Sequence, residues 1–358
     1  MKKVIYIPSE INTKNAVNFS WNLKSNYLDS IEKADYIFDF SKVVRTYPFG
    51  SLFLAKSIQS AIKVIEKKYN DINVYVDFND GNKAASYLQH VGFFKYIGAK
   101  LGREPGEAKG SSTYIPITIH TIDELTDNAT KKNNQIAEVI ENESERVASI
   151  IVSAYNKLDE DKANFAKQSI SYSLREIMRN SIEHSRDNKV VIFAQSFPRL
   201  KRVEIAIMDD GIGIKSTLSE KFGEISPLEA LRLALMPGVS RADTSIDTGD
   251  KWQNSGFGLY VVSELCKKLP KSQFFMVSSG ASYSAHCDQN GMSEENTRSS
   301  YIWSTGTTTM LSISINGYSY FSNLLEQIVA HGERIAGANS LKGKASKGSK
   351  SIPGNPDM

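Results

Sequence analysis

The sequence predicts an α/β protein in two parts. Apolar runs short enough for strands alternate with segments whose apolar residues recur at helical spacing. The length of 358 residues allows two domains at roughly 150 residues each. A stretch rich in glycine, proline and charge, Gly102–Ser112, separates the first set of elements from the second.

In the first part, Val4–Ile7 and the alternating Asp35–Phe40 read as strands. A turn at Pro48-Phe49-Gly50 precedes a predicted helix over Leu52–Lys68, with Ser51 as its N-cap. Leu54, Ile58, Ala61, Ile62 and Ile65 give that helix one apolar face. Ile72–Phe78 reads as a third strand, broken by Asn79–Asn82, and Ala84–Tyr96 as a second helix interrupted near Gly92. The β-β-α-β-α order predicts a small layered domain over residues 1–101.

Residues 102–122 form a linker and a short strand, Tyr114–Ile119. Residues 123–161 read as a helical connector made acidic by Glu138, Glu141, Glu143 and Glu145. A solvated face explains these better than a metal site, and such a surface suits a dimer contact. The second domain spans 162–340. Its first helix covers 162–184, with Ile170, Leu174, Ile177 and Ser181 on the buried side. Val190–Gln195 and Val203–Met208 are strands joined by a turn at Pro198, and Gln273–Ser279 and Thr308–Ile315 form a further pair. Between Ile214 and Asn254 one helix, Pro227–Leu235, sits in a segment rich in Gly, Asp, Ser and Thr. The polar insert Ala281–Ser304 has no assigned role; its adjacent His286 and Cys287 are a poor basis for a metal site.

Composition narrows the function. Two cysteines, Cys266 and Cys287, exclude a disulfide framework and a cysteine-rich zinc module, and fit reduced thiols in a cytoplasm. No apolar run reaches the ~18 residues of a membrane span. The first residues, stopped by Pro8, do not read as a signal peptide. The tail, 341–358, is rich in Gly, Ser, Lys and Pro and is expected to be disordered. It holds four lysines and one aspartate, so the whole net charge of +3 sits there. Nucleic acid is therefore not the expected partner.

Four motifs carry the chemistry. In Leu174-Arg175-Glu176-Ile177-Met178-Arg179-Asn180, Glu176 and Asn180 lie four apart and share a helix face. A carboxylate there can orient or deprotonate a nucleophile, and an amide oxygen can ligate Mg²⁺. Taken alone, such a pair is common on solvated helices. Asp209-Asp210-Gly211-Ile212-Gly213 follows a strand. Its glycines allow close backbone approach to a ligand, and Asp209 could accept a hydrogen bond from an exocyclic amine, although a plain turn reads the same way. Asn254-Ser255-Gly256-Phe257-Gly258-Leu259 opens a helix, whose exposed amides suit phosphate. It is neither a P-loop nor a dinucleotide fingerprint. Gly306-Thr307 precedes the last strand and is uninformative by itself.

In this order and spacing, the four resemble the N, G1, G2 and G3 boxes of the GHKL ATPases, the superfamily of DNA gyrase B, MutL, heat-shock chaperone ATPases, histidine kinases and anti-sigma-factor kinases. The resemblance covers residues 162–316 and is nearest the branch of the anti-sigma and histidine kinases. It implies a Bergerat-type α/β sandwich that holds ATP and Mg²⁺ under a mobile lid. Asn180 would be the metal ligand and Glu176 the general base. Asp209 would take the adenine amine with Thr307 in support, and Gly211 and Gly213 would shape the adenine pocket. Ser255, Gly256, Gly258 and Leu259 would meet the phosphates. The lid would be Lys215–Gln253, with Arg241 and Lys251 as phosphate contacts, and His184 would stand near the phosphate side. Asn254 departs from the glycine often found in that box, which restricts the local turn.

The first hundred residues resemble a STAS-like domain, through Tyr36–Phe40, the helix after Gly50, strand 72–78 and the closing Ala85–Ile97. Where that family carries a phosphorylated serine, this chain has Phe49. The module is therefore expected to dock on a partner or on the ATPase domain, not to act as a phospho-switch. The whole reads as a cytoplasmic regulatory ATPase whose nucleotide state controls association with a protein partner or a second copy. The alternatives are an anti-sigma-type Ser/Thr kinase and a non-hydrolysing ATP-binding module. A histidine kinase fits less well, because none of the five histidines precedes Glu or Asp in a phosphoacceptor-like helix.

Overall fold

A computed structural model describes residues 2–69, 71–132, 134–240, 255–299, 305–315, 320–339, 341 and 344–354. The N-terminal module runs β1 (Lys2–Tyr6), β2 (Glu10–Ile11), α1 (Thr13–Leu23, continued by a π-turn to Leu28), β3 (Asp35–Asp39), β4 (Arg45–Thr46), α2 (Pro48–Lys68), β5 (Val74–Asp77), α3 (Lys83–His90) and α4 (Phe93–Tyr96). Strands β1, β3 and β5 form a parallel sheet in that order, and β2 pairs with β4 in a short parallel ladder. The α/β class is as expected. The element order departs from the expected β-β-α-β-α series, because α1 stands between β1 and β3. Asn12 caps α1 by accepting from the Asn15 amide, and Ala16, Phe19, Ser20 and Leu23 are its buried stripe.

Ser51 is not a cap. Helix α2 begins earlier, with Pro48 at its first position, where a fixed φ favours helix and no donor is wasted. Ser51 is buried in the next turn, its amide bonded to the Tyr47 carbonyl at 2.9 Å. The break at Gly92 is as expected, since its φ of +89° ends one helix and starts the next.

The rest of the chain runs β6 (Tyr114–Thr121), α5 (Ile122–Lys132), α6 (Ile136–Val152), α7 (Glu160–His184), β7 (Lys189–Phe197), β8 (Arg202–Met208), α8 (Gly213–Phe222), α9 (Pro227–Ala234), α10 (Gly258–Lys268), β9 (Gln273–Ser278), β10 (Ala281–Cys287), β11 (Ser293–Ser299), β12 (Thr307–Ser314), α11 (Phe321–Ala338) and α12 (Lys347–Lys350). One antiparallel sheet of seven strands, ordered β11-β10-β9-β12-β8-β7-β6, joins them. Strand β6, expected in the linker, is therefore an edge of this sheet. The insert is the outer hairpin, β10 and β11.

The connector is not solvated either. Helix α6 packs on α7 through Ile140, Val147, Ala148 and Ile151, all in the main core. Two of its acids find partners: Glu143 meets His120 and the exposed Arg146, and Glu141 lies 3.8 Å from buried Arg175.

Alternation along the strands covers both sheet faces. Ile192, Ile205, Ile207 and Leu311 face the core of α6, α7 and α10. Val191, Phe193, Ala206, Met208, Val277 and Met310 face the N-terminal module and share its core. Helix α2 lies across β7, β8 and β12, and the Phe49 ring meets Phe275 edge-on at 5.2 Å. Each large side chain in that shared core is worth roughly 1.5–3 kcal/mol out of water, so the two parts stand as one packed body.

The tail was expected to be disordered. Its described residues instead fold back: Ile352 joins the main core, and Gly348 and Ser349 are buried in the short helix α12.

Candidate functional site

The sheet register sets the floor of a cavity. Thr308 lies opposite Met208, and Thr307 opposite Ser278, so Asp209, Gly306-Thr307 and Ser278 meet at one end of the central strands. Helix α7 forms one wall, the start of α10 another and α8 a third.

Asp209 is 3% exposed at this floor. One carboxylate oxygen accepts from the Gly211 and Thr307 amides, each at 3.1 Å, and the Ser181 hydroxyl also bonds to the carboxylate. Burial nevertheless wins and raises its pKa, against the opposing pull of Lys56 and of those bonds. Gly306 has a φ of +72°, and a side chain there would run into the Asp209 carbonyl. Ser278 ties the floor together, accepting from the Ile214 amide at 2.9 Å and donating to the Gly306 carbonyl at 3.2 Å.

On α7, Glu176 and Asn180 both face the cavity, as their spacing predicts. The Asn180 side-chain nitrogen donates to the Glu176 carbonyl at 2.8 Å. That commitment leaves the amide oxygen to a cation, which is the donor Mg²⁺ prefers. The Glu176 carboxylate, 5% exposed, takes bonds from Arg175 Nε at 3.1 Å and Nη2 at 2.9 Å.

Gly256, with a φ of +74°, packs so closely on the Val239 backbone that no side chain fits. A side chain at Gly258 would meet the Glu176 carboxylate. These two glycines bring the first turn of α10 against α7, and buried Phe257 anchors it between them. Gly256, Gly258 and Leu259, at the start of α10, line the cavity.

Glu176, Asn180, Asp209, Gly213, Gly256, Gly258, Leu259 and Thr307 thus share one cavity, with His184 on its wall. Gly211 and Ser255 do not line it. Gly211 packs on the Ser185 backbone and gives its amide to Asp209. The Ser255 hydroxyl bonds instead to Ser349 at 3.0 Å and Ser346 at 3.3 Å. The expected lid begins as two ordered helices, α8 and α9, which share a small core of Leu218, Ile225, Ala230 and Val239. Arg241, Lys251 and Asn254 lie outside the described residues.

Sequence reasoning missed three contributors. Lys56 of the N-terminal module is 3% exposed; its ammonium donates to the Asp209 carbonyl at 2.6 Å and pairs with Asp210 at 3.3 Å. Burial lowers its pKa against the pull of Asp210 and Asp209. Burial raises the Asp210 carboxyl, but Lys56 and Lys189 outweigh it and hold it below the usual range. The signal was present: Lys56 is the lone charge between Phe49 and Ile62. Arg175 and Ser349 had no such signal.

No protein family and no curated protein matches the sequence. Solved structures match part of it. The ATPase region of Saccharomyces cerevisiae topoisomerase II aligns over 46% of this chain and 43% of its own, at 13% identity and a TM-score of 0.24. The same region bound to ICRF-187 aligns over the same shares at 14% identity and a TM-score of 0.24. The N-terminal domain of a DNA repair protein aligns over 48% of this chain and 40% of its own, at 17% identity and a TM-score of 0.19. The chain spans less than half the length of these structures. No described helix is long and apolar enough to cross a membrane.

Proposed function

We propose that the chain is a Mg²⁺-dependent, ATP-binding regulatory ATPase of the GHKL type, whose nucleotide state controls association with a partner protein or a second copy. One observation carries the reading: a buried carboxylate, Asp209, faces a cavity that is also lined by the Glu176–Asn180 pair and by Gly256, Gly258 and Leu259 at the start of α10. Asp209 would accept from the adenine amine, and a ligand lacking that donor would leave the buried carboxylate short of a bond, which makes the contact specific. The α10 amides would bind phosphate oxygens. Asn180 would hold Mg²⁺, which takes most of its other ligands from phosphates and water; no cluster of three acidic, His or Cys side chains occurs among the described residues. The metal would supply charge neutralisation at the phosphates. Glu176 would orient water and accept its proton.

The regulatory part rests on Lys56. It ties the N-terminal module to the backbone of the adenine-binding residue, so a partner that shifts α2 would shift Asp209, and nucleotide would act in return on the module.

Equilibrium binding and phosphate release test the reading together. Asp209→Asn should lower ATP affinity at least tenfold. Glu176→Gln should keep affinity within about threefold and lose turnover. Wild-type protein that binds no ATP in the presence of Mg²⁺ would refute the proposal.

A further inference from the structure

The docked tail meets the cavity at its phosphate end. Ser349 lines the same space as Glu176, Asn180, Gly256 and Gly258. Its backbone is held the way an enzyme holds a peptide. The Tyr172 hydroxyl donates to the Ser349 carbonyl at 2.9 Å. Arg175 donates to the Gly348 carbonyl at 2.8 Å, to the Ser351 carbonyl at 3.2 Å and to the Ser351 hydroxyl at 3.2 Å. Both clamping side chains are fully buried on α7, and Arg175 simultaneously grips the Glu176 carboxylate. Outside the clamp, Lys350 pairs with Glu333 of α11 at 2.7 Å, and Ile352 is seated in the main core. The Ser349 hydroxyl is steered by Ser255, at the mouth of α10.

We infer that Ser349 is an intrachain phosphoacceptor and that Tyr172 and Arg175 form the subsite for its peptide. This rests on the nucleotide reading of the cavity and adds phosphoryl transfer to a serine beside transfer to water. The bond between the γ-phosphorus of ATP and its bridging oxygen breaks while a bond from Ser349 Oγ to that phosphorus forms. The hydroxyl proton goes to the Glu176 carboxylate, and ADP leaves with the bridging electron pair. Transfer is limited to one phosphoryl group per chain, since the tail supplies one serine at this point. The clamp reads carbonyls and not side chains, so once the tail has left, a serine segment of a partner chain fits the same subsite.

The full-length chain is incubated with γ-labelled ATP and Mg²⁺, label is located by peptide mass spectrometry, and ATP binding and free phosphate are measured in parallel. The expected result is label on Ser349, rising to one per chain, at a per-chain rate unchanged over a tenfold dilution. Ser349→Ala should lose that label at least twentyfold, and Ser349→Thr, which keeps a hydroxyl, should retain it at that position. ATP binding and phosphate release with Ser349 unlabelled would overturn the inference and leave the ATPase standing. A per-chain rate falling with dilution would overturn the intrachain step. Absence of ATP binding would overturn both readings.

Discussion

Replacing Glu204 with glutamine should abolish a pH dependence built into the seam between the N-terminal module and the sheet. Glu204 stands on β8, 4% exposed, beneath the first turn of α2, where it accepts from the Phe49 amide at 3.2 Å. Burial pushes its carboxyl up from 4.5 to about 7; the Phe49 bond and the Arg202 charge oppose that shift without cancelling it. Between those two values the folded chain keeps a proton that the unfolded chain has released. The stabilisation is complete below pH 4.5, declines as pH rises and is gone above 7. At about 1.4 kcal/mol per pH unit, the contribution is on the order of 3 kcal/mol. Glutamine keeps an acceptor for Phe49 but has no proton to lose. Denaturant unfolding of wild type and Glu204→Gln from pH 4.5 to 8 should therefore diverge, the variant gaining about 3 kcal/mol relative to wild type across the range. Parallel curves would refute the reasoning, because they would mean that Glu204 is either solvated or paired in the folded chain.

Two further changes probe the floor of the cavity. Lys56→Met removes a charged donor from the Asp209 carbonyl while Asp210 keeps Lys189, so the unfolding free energy should fall by roughly 1–3 kcal/mol and ATP affinity should drop several-fold. A variant that matches wild type in both would show that the module does not reach the site. Gly306→Val places a side chain against the Asp209 carbonyl at a φ of +72°, adding backbone strain of roughly 1–2 kcal/mol to that overlap. ATP binding, followed by calorimetry, should be lost while the rest of the sheet stays folded by circular dichroism.

Several features were legible in the chain because their causes are local. Glu176 and Asn180 share a face since helical periodicity places residues four apart on one side. Gly213, Gly256 and Gly306 mark backbone conformations with positive φ that other residues resist, and the first two border the cavity. The continuous apolar runs in β7 and β8 announced strands, and their lack of alternation is explained by burial on both faces. Helix α1 was not read because its apolar stripe is interrupted by asparagines and lysine. By sequence alone β6 reads as part of a linker and α6 as a solvated connector, because a strand without its neighbour, or a helix without the surface it covers, looks the same in one dimension.

The order and spacing of the four motifs, and the α/β class, are therefore properties of the sequence by itself. Only the tertiary structure decided what surrounds them. Lys56 lies 153 residues from Asp209, and Arg175 lies 173 residues from the Gly348 carbonyl that it holds. Neither pairing has a period, a spacing or a turn to announce it. A buried charge finds its partner through the shape of a packed interface, and in this chain such interfaces set the floor of the cavity and close its end at Ser349.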